Sequence, residues 1–84
     1  MKYDLTIEKS AQKYLAKITE PFQSKIIDKI YALANDPHYN AIKLTGRDAY
    51  RIRVGNYRVI YEINNDELII LVVSIGHRKN VYNR

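Results

Sequence analysis

The chain has no cysteine and no tryptophan, one methionine, two prolines and three glycines in 84 residues. Without cysteine there is neither a disulfide framework nor a thiolate metal site. So few glycines leave no room for a phosphate-cradling P-loop or a dinucleotide fingerprint, and neither pattern occurs. Long apolar runs are missing too: the longest, Leu68–Val73, is the length of a strand and far short of the roughly 18 residues of a membrane span. No charged-then-apolar leader pattern opens the sequence. A soluble protein of the reducing cytoplasm, with no membrane partner, is the expectation. The two histidines lie 39 positions apart with no acidic cluster joining them, so no metal site and no cofactor are expected. Ser10, Ser24 and Ser74 sit in no nucleophile motif.

One further absence is regional. Residues 1–42 contain no arginine; their six lysines face five acids, a net of +1. Residues 43–84 hold all six arginines, two lysines and four acids, a net of +4. A guanidinium is a flat fork of donors that matches a phosphate, whereas lysine is a flexible point charge. The overall +5 therefore divides into a scaffold half and a half that holds the candidate anion site.

A length of 84 residues with 46% hydrophobic content allows one domain, residues 1–84, with a real core. Tyr3, Leu5 and Ile7 alternate, predicting a strand over Lys2–Ile7. From Glu8 the period becomes helical, with Ile7, Ala11, Tyr14, Leu15 and Ile18 on one stripe. Thr19-Glu20-Pro21 breaks and restarts the chain, with Thr19 as the expected cap. Phe22, Ile26, Ile30, Leu33 and Ala34 define a second helix ended by Asn35-Asp36-Pro37, so the two form an antiparallel hairpin. Residues 36–48 read as a loop. Ala49–Val54 and Tyr57–Ile63 are predicted strands joined by Gly55-Asn56, with glycine first as a type II′ turn requires. After a turn at Asn64-Asn65-Asp66, Glu67–Ile75 is a strand apolar enough to be buried on both faces. The order β-α-α-β-β-β predicts an α+β fold, with a helix hairpin on one face of a mostly antiparallel sheet of about four strands.

A two-residue turn sets the register of the arginine hairpin. Val54 faces Tyr57, Arg53 faces Arg58, Ile52 faces Val59, Arg51 faces Ile60 and Tyr50 faces Tyr61. One face then holds Tyr50, Ile52, Val54, Tyr57, Val59 and Tyr61, ready to pack on helices. The other holds Arg51, Arg53, Arg58, Ile60 and Glu62. Opposed arginines repel by a few tenths to about 1 kcal/mol. Two situations accommodate that: a solvated face with Glu62 compensating, or a polyanion site whose phosphates supply the counter-charge. The arginines should then project together into solvent, away from the helices. His77 and Arg78 follow the last strand, and Tyr82 is placed either to stack on a base or to plug the core. Lys9, Lys13 and Lys17 form a stripe on the first helix, either a wet face or, with Lys43, an auxiliary contact to RNA phosphates. His38 is assigned no role.

The segments KLTG, YRIRVGNYRVIYEI and IGHRKNVY, in that order and spacing, resemble the RelE/ParE superfamily of bacterial and archaeal toxins. The likeness runs over nearly the whole chain. It implies a RelE-like fold and, on the RelE branch, a ribosome-dependent endoribonuclease that cuts mRNA in the A site. It also implies a cognate RelB-like antitoxin as partner, with operator DNA met only through that antitoxin. By resemblance the catalytic set is Arg51, Arg53, Arg58, Arg78 and Tyr82, with His77 beside them. Where lysines can act as bases in this family, the chain has Arg51 and Arg53. A guanidinium with a pKa above about 12 does not deprotonate readily. Either His77 shares the proton transfer, or positioning and electrostatics carry most of the rate. Two other readings stand beside this one: a ParE-like toxin that binds DNA gyrase without cutting RNA, and a catalytically weak RNA-binding relative.

Overall fold

The computed structural model describes residues 2–77. Its elements are β1 (Asp4–Ile7), α1 (Lys9–Ala16), α2 (Phe22–Leu33), β2 (Ile42–Lys43), β3 (Tyr50–Val54), β4 (Tyr57–Asn64) and β5 (Ile69–His77). The sheet has five strands in the order β1-β5-β4-β3-β2. β1 runs parallel to β5 and every other pair is antiparallel. β5 therefore lies inside the sheet, as its apolar run on both faces requires. The fifth strand is β2, where a loop was expected: Ile42 pairs with Arg51 and Lys43 with Tyr50. A two-residue strand lies below what residue patterning can register.

The helices bury what their periodicity promised. Ala11 and Leu15 of α1 and Ile26, Ile30 and Leu33 of α2 pack on Ile52, Val54, Val59, Tyr61, Ile70, Val72 and Ile75. α1 stops at Ala16, yet Ile18 remains buried in the connecting turn. The expected Thr19 side-chain cap is replaced by backbone: the Thr19 carbonyl accepts the Phe22 and Gln23 N–H groups at 3.1 and 3.2 Å. The Glu20 carboxylate takes the Ser24 N–H and hydroxyl at 3.1 and 2.8 Å. A carboxylate reaching into a first helical turn is favoured by the helix dipole as well as by the hydrogen bond.

The hairpin register is the one the two-residue turn dictates, from Val54↔Tyr57 to Tyr50↔Tyr61. Gly55 has φ +59° and Asn56 stays on the negative side, as a type II′ turn demands. At the other end of β4, the Asn64 side-chain oxygen accepts the Asp66 and Glu67 N–H groups at 3.0 and 2.9 Å, forming an Asx turn. The strand after this turn starts at Ile69, not Glu67, and continues past Ile75 through His77. The β4–β5 register slips between Ile60↔Ser74 and Tyr61↔Val72, a bulge that leaves Val73 unopposed.

The face away from the helices is not wholly open. Ala49 and Ile60 are buried there with Leu44 and Val73 against them. The segment between β2 and β3 folds over the sheet, closed by the Leu44 N–H donating to the Ala49 carbonyl at 2.9 Å. Among the described residues no helix is long and apolar enough to cross a membrane.

Candidate nucleic-acid interface

Strand alternation puts Arg51, Arg53 and Arg58 on the side of the sheet opposite α1 and α2. Arg53 and Arg58 are direct neighbours, and Arg58 in turn faces Gly76 of β5. The row Arg53–Arg58–Gly76 thus ends on a residue without a side chain.

The three guanidiniums differ in exposure. Arg53 is exposed, Arg51 is half-buried and Arg58 is only 1% exposed. The expectation of three cations standing together in solvent is therefore corrected for Arg58. β4 is the middle of the sheet and this face carries its own apolar cluster around Ile60, so a side chain at position 58 starts from a covered strand. Arg51 and Arg58 each take part in interactions of their own. Arg53 is the cation of the row most accessible to an incoming phosphate.

His77 is corrected as well. It pairs with Tyr57, whose side chain belongs to the helix side, and its imidazole packs edge-on against the Tyr57 ring at 5.6 Å and 82°. Its backbone N–H donates to the Tyr14 hydroxyl at 3.0 Å. The sheet separates this imidazole from the arginine row. Alternation along a strand decides the matter, and it puts 77 with Ile75 and not with Gly76. Lys9, Lys13 and Lys17 are exposed on α1, also on the far side of the sheet. Lys43 faces Tyr50 on the helix side and lies 3.9 Å from Asp48. None of these lysines joins the arginine face. Arg78 and Tyr82 lie outside the described residues.

Residue patterning did not anticipate a groove at the edge of this site. A cavity of about 510 Å³ opens between Lys29, Ala32 and Leu33 of α2 and Ile52 and Arg53 of β3, walled by Asp36, Tyr39 and Asn40. Its wall is pinned. The buried Tyr61 hydroxyl donates to the Pro37 carbonyl, His38 meets the Tyr50 ring edge-on at 5.3 Å, and Tyr50 stacks on Tyr61 at 6.0 Å. Burial, then Tyr50, then the Asp36 carboxylate push the Tyr61 pKa up to about 12. Six tyrosines besides Tyr61 are among the described residues, so composition alone could not single this one out. Among those residues no three His, Asp or Glu side chains gather as a metal site would require.

Residues 5–82 match the family model described as the ParE toxin of the type II toxin–antitoxin system parDE. A putative RelE-like toxin protein of Escherichia coli is 32% identical over 99% of this chain and 93% of its own length. The free E. coli toxin RelE, solved as an arginine-to-alanine double mutant, superposes with a TM-score of 0.80 at 26% identity, covering 99% of this chain and 93% of that one. The toxin in the RelB–RelE complex of Methanococcus jannaschii gives 0.74 at 30% identity, with 93% and 95% covered. The family model carries the ParE name and the relatives carry the RelE name. Both names fall within one superfamily, and the chain belongs to the RelE/ParE superfamily of type II toxins, on its RelE-like side.

Proposed function

We propose that this toxin is an endoribonuclease of the RelE type, cutting mRNA in the ribosomal A site and silenced by a RelB-like antitoxin in the cytoplasm. The observation that carries this reading is the row Arg53–Arg58–Gly76: two guanidiniums set side by side across strands, one of them exposed, on a face the helices leave clear. A phosphate diester relieves their repulsion, and the charge of a developing phosphorane relieves it further. In the reaction a ribose 2′-oxygen attacks the adjacent phosphorus, the P–O5′ bond breaks, and a 2′,3′-cyclic phosphate and a 5′-hydroxyl result. Arg53 holds a non-bridging oxygen, while the buried Arg58 beside it adds its positive field to stabilise the added charge, with Arg51 one register step away. Arg78 and Tyr82 complete the set, as a further cation and a stacking ring. With His77 on the helix side, we assign most of the rate to positioning and charge stabilisation, the 2′-hydroxyl proton ending on the departing 5′-oxygen.

The antitoxin partner is inferred from solved RelB–RelE complexes of relatives. The groove beside Arg53, with Ala32, Leu33 and Ile52 inside and Lys29 at its margin, suits an amphipathic segment bearing acids. A second reading, gyrase poisoning, draws on the ParE name of the family model and on the absence of a neutral-pKa base beside the arginines among the described residues. One experiment separates the two: expression of the wild type and of Arg53→Ala, with mRNA cleavage on translating ribosomes and gyrase-dependent DNA breaks both read out. Ribosome-dependent cleavage that falls about 100- to 1,000-fold in the variant, the scale of one lost charge-stabilising donor, supports the nuclease. DNA breaks without RNA cleavage overturn it.

A further inference from the structure

β5 outruns its neighbour. β1 pairs with Ile69–Val72 and ends with the Glu8 N–H donating to the Val72 carbonyl, after which the chain turns into α1. Among the described residues, 73–77 of β5 therefore have no strand on that side. α1 runs over this stretch in its place. From Lys9 to Tyr14 the helix advances about 8 Å, while five strand residues advance about 16 Å. A long side chain is needed to make up the difference, and Tyr14 supplies it: its hydroxyl accepts the His77 N–H at 3.0 Å across 63 residues of sequence. Its own ring is anchored against the main core.

Two further contacts hold the same strand end. The His77 imidazole meets the Tyr57 ring, and Tyr57 packs on Phe22 at 5.8 Å. The peptide so fixed joins His77 to Gly76, and Gly76 is the third member of the arginine row. Together with the pairing to β4, a hydroxyl on the helix side thus fixes the backbone beside Arg58 on the other side.

We propose that Tyr14 is a positioning residue of this toxin: through its hydroxyl it locks the end of β5 and so holds the arginine row in its reactive arrangement. The proposal rests on the nuclease reading, and the hydroxyl itself touches no RNA. The test is Tyr14→Phe, which keeps the ring in the core and removes only the acceptor. Amide hydrogen exchange at His77 should quicken about tenfold, the scale of one neutral hydrogen bond, while the melting temperature falls by less than about 10 °C and the variant stays folded at the assay temperature. On programmed ribosomes kcat should fall about tenfold with KM unchanged. In an Arg53→Ala background the same substitution should cost little more, because the lock acts through the row to which Arg53 belongs. Unchanged His77 exchange, unchanged kcat, or a loss that simply adds to that of Arg53→Ala each overturns the proposal. A wild type that cleaves no RNA sinks the nuclease reading instead; the exchange measurement then decides the lock alone.

Discussion

The two faces of the sheet obey different rules. The helix side is continuous and apolar: Ile26, Val59, Tyr61, Ile70 and Val72 are fully withdrawn from water there. The opposite side mixes an exposed arginine, a buried arginine and a small apolar cluster. The same strands build both, since each residue's neighbours along the chain point the other way. One face therefore carries the stability of the fold and the other is free to keep cross-strand like charges that a purely structural sheet would avoid. Substitutions that shift stability and substitutions that shift function should accordingly fall on opposite faces, with Tyr14 the exception because its hydroxyl acts across the sheet.

The sharpest way to break that division is to truncate one residue on each side. Ile26→Ala removes a fully buried side chain from the centre of the main core and should cost about 3 kcal/mol, lost transfer energy and cavity together. Arg53→Ala should change stability by less than about 0.5 kcal/mol, because the side chain is exposed and its removal relieves repulsion from Arg58. Urea unfolding of both variants checks the contrast. A large loss for Arg53→Ala would show that the arginine face also holds the fold together.

How far the two faces could be read from residues alone follows from the same geometry. The hairpin register was fully legible, because a two-residue turn leaves no freedom and period-two alternation then assigns every side chain. Assignment of His77 failed because the sequence reading ended the strand at Ile75 and treated 77 as tail; two more strand residues turn its ring to the helix side. Arg58 was put on the correct face but not at the correct depth, since alternation assigns a side and says nothing of what covers it. Tyr14 was read only as one member of an apolar stripe. Its polar tip acquires meaning from the unequal lengths of β1 and β5, which no periodicity records.

A smaller effect sharpens the helix side itself. Tyr61 is 0% exposed and its hydroxyl must stay protonated to donate to the Pro37 carbonyl. Its folded pKa of about 12 lies above the ordinary 10. The folded state thus binds the proton more tightly than the unfolded chain. The associated stability is fully present below pH 10 and is lost as pH rises from 10 towards 12, on the order of 2 kcal/mol. Denaturant unfolding across that range should show a decline that is absent from Tyr61→Phe. A Tyr61→Phe variant that declines as steeply as the wild type would place the alkaline transition elsewhere.

The smallest effect asks which cations meet RNA at all. Arg53 and the stripe Lys9, Lys13 and Lys17 are all exposed, and they lie on opposite sides of the sheet. A single strand bound to the arginine face cannot also lie along α1. For single-stranded RNA each neutralised phosphate contributes about −0.7 to the slope of log K against log salt. Arg53→Ala should therefore flatten that slope by about 0.7 for a short, non-cleavable single-stranded oligonucleotide, and Lys13→Ala should leave it unchanged. Equal flattening by both would mean that the strand wraps the edge of the sheet or that binding is diffuse, and the arginine row would lose its claim to be the RNA face. Flattening by Lys13→Ala alone would move that face to the helices, where the lysines and not the arginines set the path of the backbone.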